Sequence, residues 1–376
     1  MKFLFKLVLA LLLLAAALAG VLRLRYGGGS TGFPDRSTAP LLPEAALEVV
    51  ATLPTPPGNI AVSKAGRVFL SLHPEARPAP NKIVEIVNGQ ARPFPSAALQ
   101  PKFVNVLGIR LDSQDRLWTL DNGGHGVKPA RLMAFDIATG KTAEEFEFPR
   151  EIAGLGSHLN DLQVSADGRT IYIADASFFG KHPAIVVYDV QQHSARRLLE
   201  NTVGVTPENY IPVVQGRTML AFGLVAIRPG VDSIALSRDG QWLYFAPVTS
   251  QHLYRISTAN LQDRQLSAEK LATRVEAWAE KSMSDGLSSD NAGNIYLTDP
   301  EHSALLRLSP EKKLDTLLKT ERLRWPDGLS FGADGWLYVT CSSLQFVIGL
   351  PPASVAEHAP YQVYRFKPGG SAAAGQ

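Results

Sequence analysis

The 376-residue chain contains a single cysteine, Cys341. An intrachain disulfide is excluded, and so is a metal cluster built on thiolates. Cys341 ends a strand-like run and reads as a packed thiol. Charge of one sign is also lacking: Lys+Arg is 37, Asp+Glu is 35, and without Lys2 and Lys6 the two counts are equal at 35. Duplex binding needs a basic surface that displaces counterions, so no nucleic-acid partner is expected. There is no Gly-x-Ser-x-Gly elbow, P-loop, dinucleotide fingerprint or His-Glu-x-x-His zinc motif. Long helices do not alternate with strands, and no Pro/Gly-rich linker splits the body of the chain, which argues against a two-domain reading. What remains, 45% hydrophobic, 8% aromatic and 19% charged, is ordinary globular composition.

The start of the chain is different. Residues 1–19 join a basic beginning (Lys2, Lys6) to an apolar run from Leu7 and to Ala17-Leu18-Ala19, the secretory pattern. The apolar stretch can also be extended toward a span of about 20 residues. Residues 1–25 are therefore read as a signal peptide or a membrane anchor, and either places the rest outside the cytoplasm, periplasmic or extracellular. Residues 26–45 are rich in Gly, Ser and Pro and read as a flexible linker. Residues 46–368 are read as one folded domain and 369–376 as a disordered tail.

That domain repeats itself. Six segments, at 63–71, 113–121, 165–175, 237–247, 289–299 and 331–341, carry apolar alternation, a turn centred on Asp-Gly or a variant, and a strand with an aromatic. Aligned on Gly66, Asp115, Gly168, Gly240, Gly293 and Gly335, each places an aromatic three or four residues later: Phe69, Trp118, Tyr172, Tyr244, Tyr296 and Tyr338. Asp-Gly suits a hairpin turn because glycine accepts positive φ. The spacings of 49, 53, 72, 53 and 42 residues hold four strands each. The fold class is therefore all-β, a six-bladed β-propeller of four-stranded blades. The strand at 47–53 is expected to complete the last blade. Residues 259–280 show helix-like spacing (Leu261, Leu271, Val275, Trp278) and predict one peripheral helix.

Eight residues before the turn anchors stand Gly58, Leu107, Asn160, Asp232, Asp285 and Asp327. Equivalent positions in a propeller converge at one channel mouth, so three carboxylates and an amide should meet there. Like charges in one place raise one another's pKa. A hard cation such as one calcium ion, with oxygen ligands Asn160, Asp232, Asp285 and Asp327, would compensate them; so would a cationic ligand or an arginine. The second strands return to the same mouth and end at Asp121, Asp175 and Asp299. His125, His158 and His302 lie close by in sequence. Asp285, His125 and His158 are the candidates for acid–base work. Asp121, Asp175, Asp299, His302 and Trp325 are the candidates for ligand contact. Each Asp could instead only accept backbone hydrogen bonds, and Trp325 with Phe178-Phe179 could pack between blades.

Several stretches resemble the yellow / major royal jelly protein family: LWTLDNG at 117–123, PARLMAFDIATGK at 129–141, AIVVYDV at 184–190 with Arg196-Arg197, and above all DSIALSRDGQWLYFAPVTSQHLYRISTANL at 232–261. The resemblance covers roughly 45–367 and implies a secreted six-bladed propeller. It implies no single activity, since members are linked to dopachrome conversion, to binding of small amines, or to storage and signalling. Bacterial members are often named as dopachrome-tautomerase-related. The wider group includes the senescence marker / gluconolactonase propellers, whose metal site uses Glu, Asn, Asn and Asp. Asn160-Asp161 is similar to their Asn-Asp pair and Ser284-Asp285-Gly286 to their Pro-Asp-Gly. Asp232 stands where they have Asn. Their first-blade Glu has no match, since Gly58-Asn59 occupies that region, and Asp327 is the candidate to replace its charge.

Three functions remain open on the sequence: an enzyme using a cation for lactone hydrolysis or quinone tautomerisation, a binding protein for small amines or aromatics, and a protein-interaction scaffold. A monomer acting on a small molecule is expected, with membrane contact only through the N-terminal segment.

Overall fold

The computed structural model describes residues 1–376. Six four-stranded antiparallel sheets follow one another along the chain as the blades of a β-propeller. Their inner strands are Pro57–Val62, Val106–Leu111, Leu159–Val164, Val231–Leu236, Leu287–Ser289 and Pro326–Phe331, for blades 1 to 6. All six turn anchors have left-handed backbone: the five glycines take φ between 69° and 84°, and Asp115 takes 56°. Aspartate is among the few residues with a Cβ that tolerate this region.

The core is a ring of six apolar layers, one between each pair of neighbouring blades. The repeated aromatic supplies each layer: Phe69 lies between blades 1 and 2, Trp118 between 2 and 3, Tyr172 between 3 and 4, Tyr244 between 4 and 5, Tyr296 between 5 and 6, and Tyr338 between 6 and 1. Burying one such ring contributes on the order of 2–3 kcal/mol. The polar tips find partners: Trp118 Nε1 donates to Asp112 at 2.8 Å and the Tyr296 hydroxyl to Asp290 at 2.9 Å. The ring closes as the sequence predicts, with Glu48–Leu53 pairing antiparallel to Tyr361–Phe366 as the outermost strand of blade 6.

Three expectations are corrected. The helix over 259–280 is two short turns, Thr258–Gln262 and Ala268–Ala272, followed by the strand Glu276–Glu280. That strand is the fourth of blade 4. Leu261 and Leu271 mimic a helical face because both cover the layer between blades 3 and 4, while Trp278 serves the next layer. The stretch 26–45 is not free: Leu41 and Leu42 donate backbone hydrogen bonds to Thr316 and Leu317, extending along the outer edge of blade 5. The tail folds under the face opposite the mouth, where Gly375 and Gln376 bond the backbone of Phe331 and the Gly375 carbonyl accepts from Arg110 at 2.9 Å.

Helix α1 (Lys2–Tyr26) buries none of its residues and is long and apolar enough to cross a membrane. Cys341 is buried in the layer between blades 5 and 6, and burial pushes its thiol up to about 12. Iodoacetamide should therefore leave the native chain unmodified at pH 8 and alkylate it once in denaturant, as intact mass would read.

Candidate functional site

Five of the six inner strands bulge against their partners at the same level, at 57–60, 106–109, 159–162, 231–233 and 326–329. A bulge leaves a residue unpaired and re-aims its side chain. Asn160, Asp232 and Asp327 sit in these bulges, and Asp285 stands just before Leu287–Ser289. Second-strand hydroxyls hold the kinks: Thr298 accepts from Gly286 N at 2.7 Å, and Thr340 accepts from Gly328 N at 2.9 Å and donates to Gly58 O of the next blade at 2.5 Å. Glycine follows two of the aspartates because the inner strands approach closely. A Cβ on Gly286 would stand 1.8 Å from the Asp327 carbonyl.

The four predicted ligands therefore converge. Asn160, Asp232, Asp285 and Asp327 line one cavity of about 240 Å³ together with His125, His158 and Trp325. Burial and the neighbouring acids push Asp232 and Asp327 well above the usual carboxylate range. Asp285 is raised to about 6 by burial, against the opposing pull of Trp325, whose Nε1 donates to it at 2.5 Å. Trp325 is buried, so it is both cavity wall and packing. Its backbone is left-handed, φ 53°, a strained conformation for a bulky residue.

Asp121, Asp175, Asp299 and His302 are not cavity residues. Their expected ligand role is corrected by what surrounds them. Asp121 accepts from the amides of Val104, Asn105 and Gly123. Asp175 accepts from Ser157, His158, Ser177 and Arg197. Asp299 holds the His302 amide and ring. These carboxylates organise the loops of the mouth, and their lone pairs are spent on that.

The other half of the cavity comes from residues that no repeat in the sequence marks. His73 and Glu75, from the blade 1 loop, face His125 and His158. His73 Nδ1 accepts from Glu75 N at 3.2 Å, which assigns the proton of the neutral ring to Nε2, 4.0 Å from Asp327. Burial lowers His73 to about 4, and burial with the nearby His125 lowers His158 to about 3. Glu75 falls to about 2 beside His125, whose Nε2 is 3.7 Å away. Applying the strand-end rule to blade 1 would have reached His73, one residue beyond Leu72. Below the cavity, Asp161 receives Asn59 at 3.1 Å and lies 3.6 Å from buried Arg110. This arginine is the compensating cation for Asp161.

Two loops roof the mouth. The segment 201–230 forms two ribbons, Val213–Val214 with Arg217–Thr218 and Leu220–Ala221 with Val225–Ala226. Arg217 ties it to the carbonyls of Gln345 and Ile348 in the blade 6 loop. Phe222, Leu344 and Ile348 give the cavity an apolar roof over an acidic floor.

The family model for major royal jelly proteins matches residues 104–349. The chain belongs to the major royal jelly protein family. Major royal jelly protein 3 of Apis mellifera is 31% identical over 174 residues, 43% of this chain and 30% of that protein. Major royal jelly protein 1 of the same organism is 31% identical over 170 residues, 41% and 37% respectively. The matched part thus spans about a third of these family members. Among solved structures, a luciferin-regenerating enzyme superposes with TM-score 0.58 at 11% identity, over 88% of this chain and 97% of that one. A calcium-binding regucalcin from Agrobacterium tumefaciens gives 0.55 at 14%, over 87% and 97%. A gluconolactonase from Xanthomonas campestris gives 0.55 at 15%, over 90% and 97%. At such identities the likeness is one of fold.

Proposed function

We propose that this family member binds a divalent cation, calcium by its ligand chemistry, at the channel mouth, and uses the cavity to hydrolyse or isomerise a small carbonyl compound such as a lactone or cyclic quinone. The carrying observation is the Asp232 carboxylate, more than nine-tenths buried and without a hydrogen-bond donor from the chain. Buried charge persists only when compensated, and three carboxylates with the Asn160 amide are hard oxygen donors of the kind calcium takes. The fit is chemical rather than preformed: no three acidic or histidine side chains converge at coordinating distance, so the amide and water belong to the ligand set. The bound ion would supply Lewis-acid polarisation of a carbonyl.

The chain's own residues would do the rest. Trp325 holds one Asp285 oxygen. His73 Nε2–H faces Asp327 and steadies it. Glu75, 3.7 Å from His125 Nε2, holds a negative charge beside that ring. His158, kept neutral, packs on His125 with ring centroids 4.6 Å apart. The apolar roof excludes water from the acidic floor. The protein would act as a monomer outside the cytoplasm.

The experiment is calcium titration of the detergent-solubilised full chain by calorimetry, followed by a lactone and quinone panel. About one ion per chain at micromolar affinity is expected. No binding heat and no shift in Tm between calcium and chelator would overturn the reading. The same acidic floor would then favour a ligand ammonium, and amines would be titrated instead.

A further inference from the structure

We infer that helix α1 remains attached as a membrane anchor and that the roofed mouth of the propeller lies against the lipid surface, so that ligands reach the cavity from the bilayer interface. The proposal concerns the orientation of the whole domain and stands apart from the chemistry of the acidic floor.

There is no slack between helix and mouth. Helix α1 has 25 residues, about 37 Å at 1.5 Å per residue, enough for a hydrocarbon core of about 30 Å. Its last residue, Tyr26, donates its hydroxyl to the Phe179 carbonyl at 2.9 Å, and its ring lies 6.4 Å from that of Phe178. Both phenylalanines line the cavity. Residues just beyond the helix join the roof itself: the Ile211 amide donates to the Ser30 carbonyl at 2.7 Å, and Phe33 packs on Tyr210. A tyrosine at the end of a spanning helix sits at headgroup level. The rim of the cavity is then held at the same level.

That rim is built for such a place. Outside helix α1, the large apolar residues with the highest exposure are Leu155 at 81%, Phe222 at 77%, Val203 at 76% and Val127 at 69%. All four lie in loops on the mouth side, the side to which helix α1 is tied. Around Tyr26 stand Arg25, Lys181 and Arg228. Lys181 lies 4.9 Å over the Tyr26 ring, and burial plus the two arginines lowers it to about 8. A cationic cluster of this kind matches anionic lipid phosphates.

The test uses the full chain reconstituted in vesicles of phosphatidylcholine and phosphatidylglycerol. Single cysteines are introduced as Leu155→Cys, Phe222→Cys and, on the opposite face, Lys64→Cys, and labelled with bimane. Buried Cys341 does not compete. Doxyl-labelled lipid should quench the labels at 155 and 222 at least threefold more than the label at 64. Adding Val127→Asp and Val203→Asp should weaken quenching at 155 and 222 while the chain stays resistant to carbonate extraction. Equal, weak quenching at all three sites would overturn the proposal. So would recovery from cells of a mature chain lacking residues 1–26. Neither readout needs cation or substrate, so this inference and the proposed reaction fail separately.

Discussion

Replacing Asp327 by asparagine is expected to stabilise the calcium-free protein and to weaken calcium binding about 100-fold. The two effects have one cause. Burial raises Asp327, Asp232 and Asp285 alike; the Asp285 charge raises Asp327 further, and Asp285 and Asp327 together raise Asp232. In the absence of a cation this is a cost, so Asp327→Asn should lift the Tm in chelator by about 2–5 °C. The same substitution removes one of the charges that set calcium affinity. Differential scanning fluorimetry in chelator and calcium titration of the same preparation measure both. A variant that melts lower in chelator, or binds calcium unchanged, would remove Asp327 from the site.

The pH dependence has a definite sign. Asp285 titrates near 6 when folded, against an ordinary 3.8, a difference of about 3 kcal/mol. Its contribution to the stability of the calcium-free state is complete below pH 3.8 and is lost as pH rises through 6. Asp232 and Asp327 act in the same direction. His73 and His158, lowered by burial, act in the opposite direction: their contribution is lost as pH falls below 6.5. These histidine contributions are common to both states and cancel in the difference between calcium and chelator. The gain in Tm from calcium should therefore grow from pH 5 to pH 7.5, and affinity should rise at least tenfold over that range.

The propeller was legible because its signals are local and repeated. A turn residue with positive φ and an aromatic a few positions later occur six times, and each maps to one turn and one interblade layer. Strand counts followed from spacing alone. The convergence of Asn160, Asp232, Asp285 and Asp327 on one cavity was legible for a related reason, since equal distance from equal turns means equal height on the axis. Other features depended on tertiary partners. Leu261, Leu271 and Trp278 looked helical because two neighbouring layers needed cover at intervals close to a helical turn. Residues 26–45 and 369–376 looked unstructured by composition, yet they find backbone partners on blade edges that no local pattern announces. His73 and Glu75 were missed because the blade 1 loop carries no repeat of the Asp that marks the others. The role of the strand-end aspartates was not legible, because a carboxylate in a mouth loop reads the same whether it faces ligand or backbone. Only the donors around it decide.

That distinction gives the second large effect. Asp175→Ala should cost about 3–5 kcal/mol and leave the number of calcium ions bound unchanged. Asp175 is fully buried, and both its oxygens are used: Ser157 at 2.7 Å and Arg197 at 2.6 Å on one, the amides of His158 at 2.7 Å and Ser177 at 2.9 Å on the other. Truncation leaves the largely buried Arg197 guanidinium with only the exposed Glu200 carboxylate at 2.6 Å, and removing the buried partner is the expensive way to break an ion pair. It also leaves two amides of the blade 3 loops without acceptors. The Tm should fall by about 5–10 °C. Calcium affinity should move less than tenfold, because Asn160 is held by the bulge of its own strand and not by Asp175. Asp175→Asn should recover little, since an amide N–H would face Arg197. Thermal melts with parallel calcium titrations separate the cases. An unchanged Tm with lost calcium binding would place Asp175 among the ligands of the ion. The expected result instead divides the mouth aspartates by position: those at inner-strand starts take up the ion, and those at second-strand ends build the wall around it.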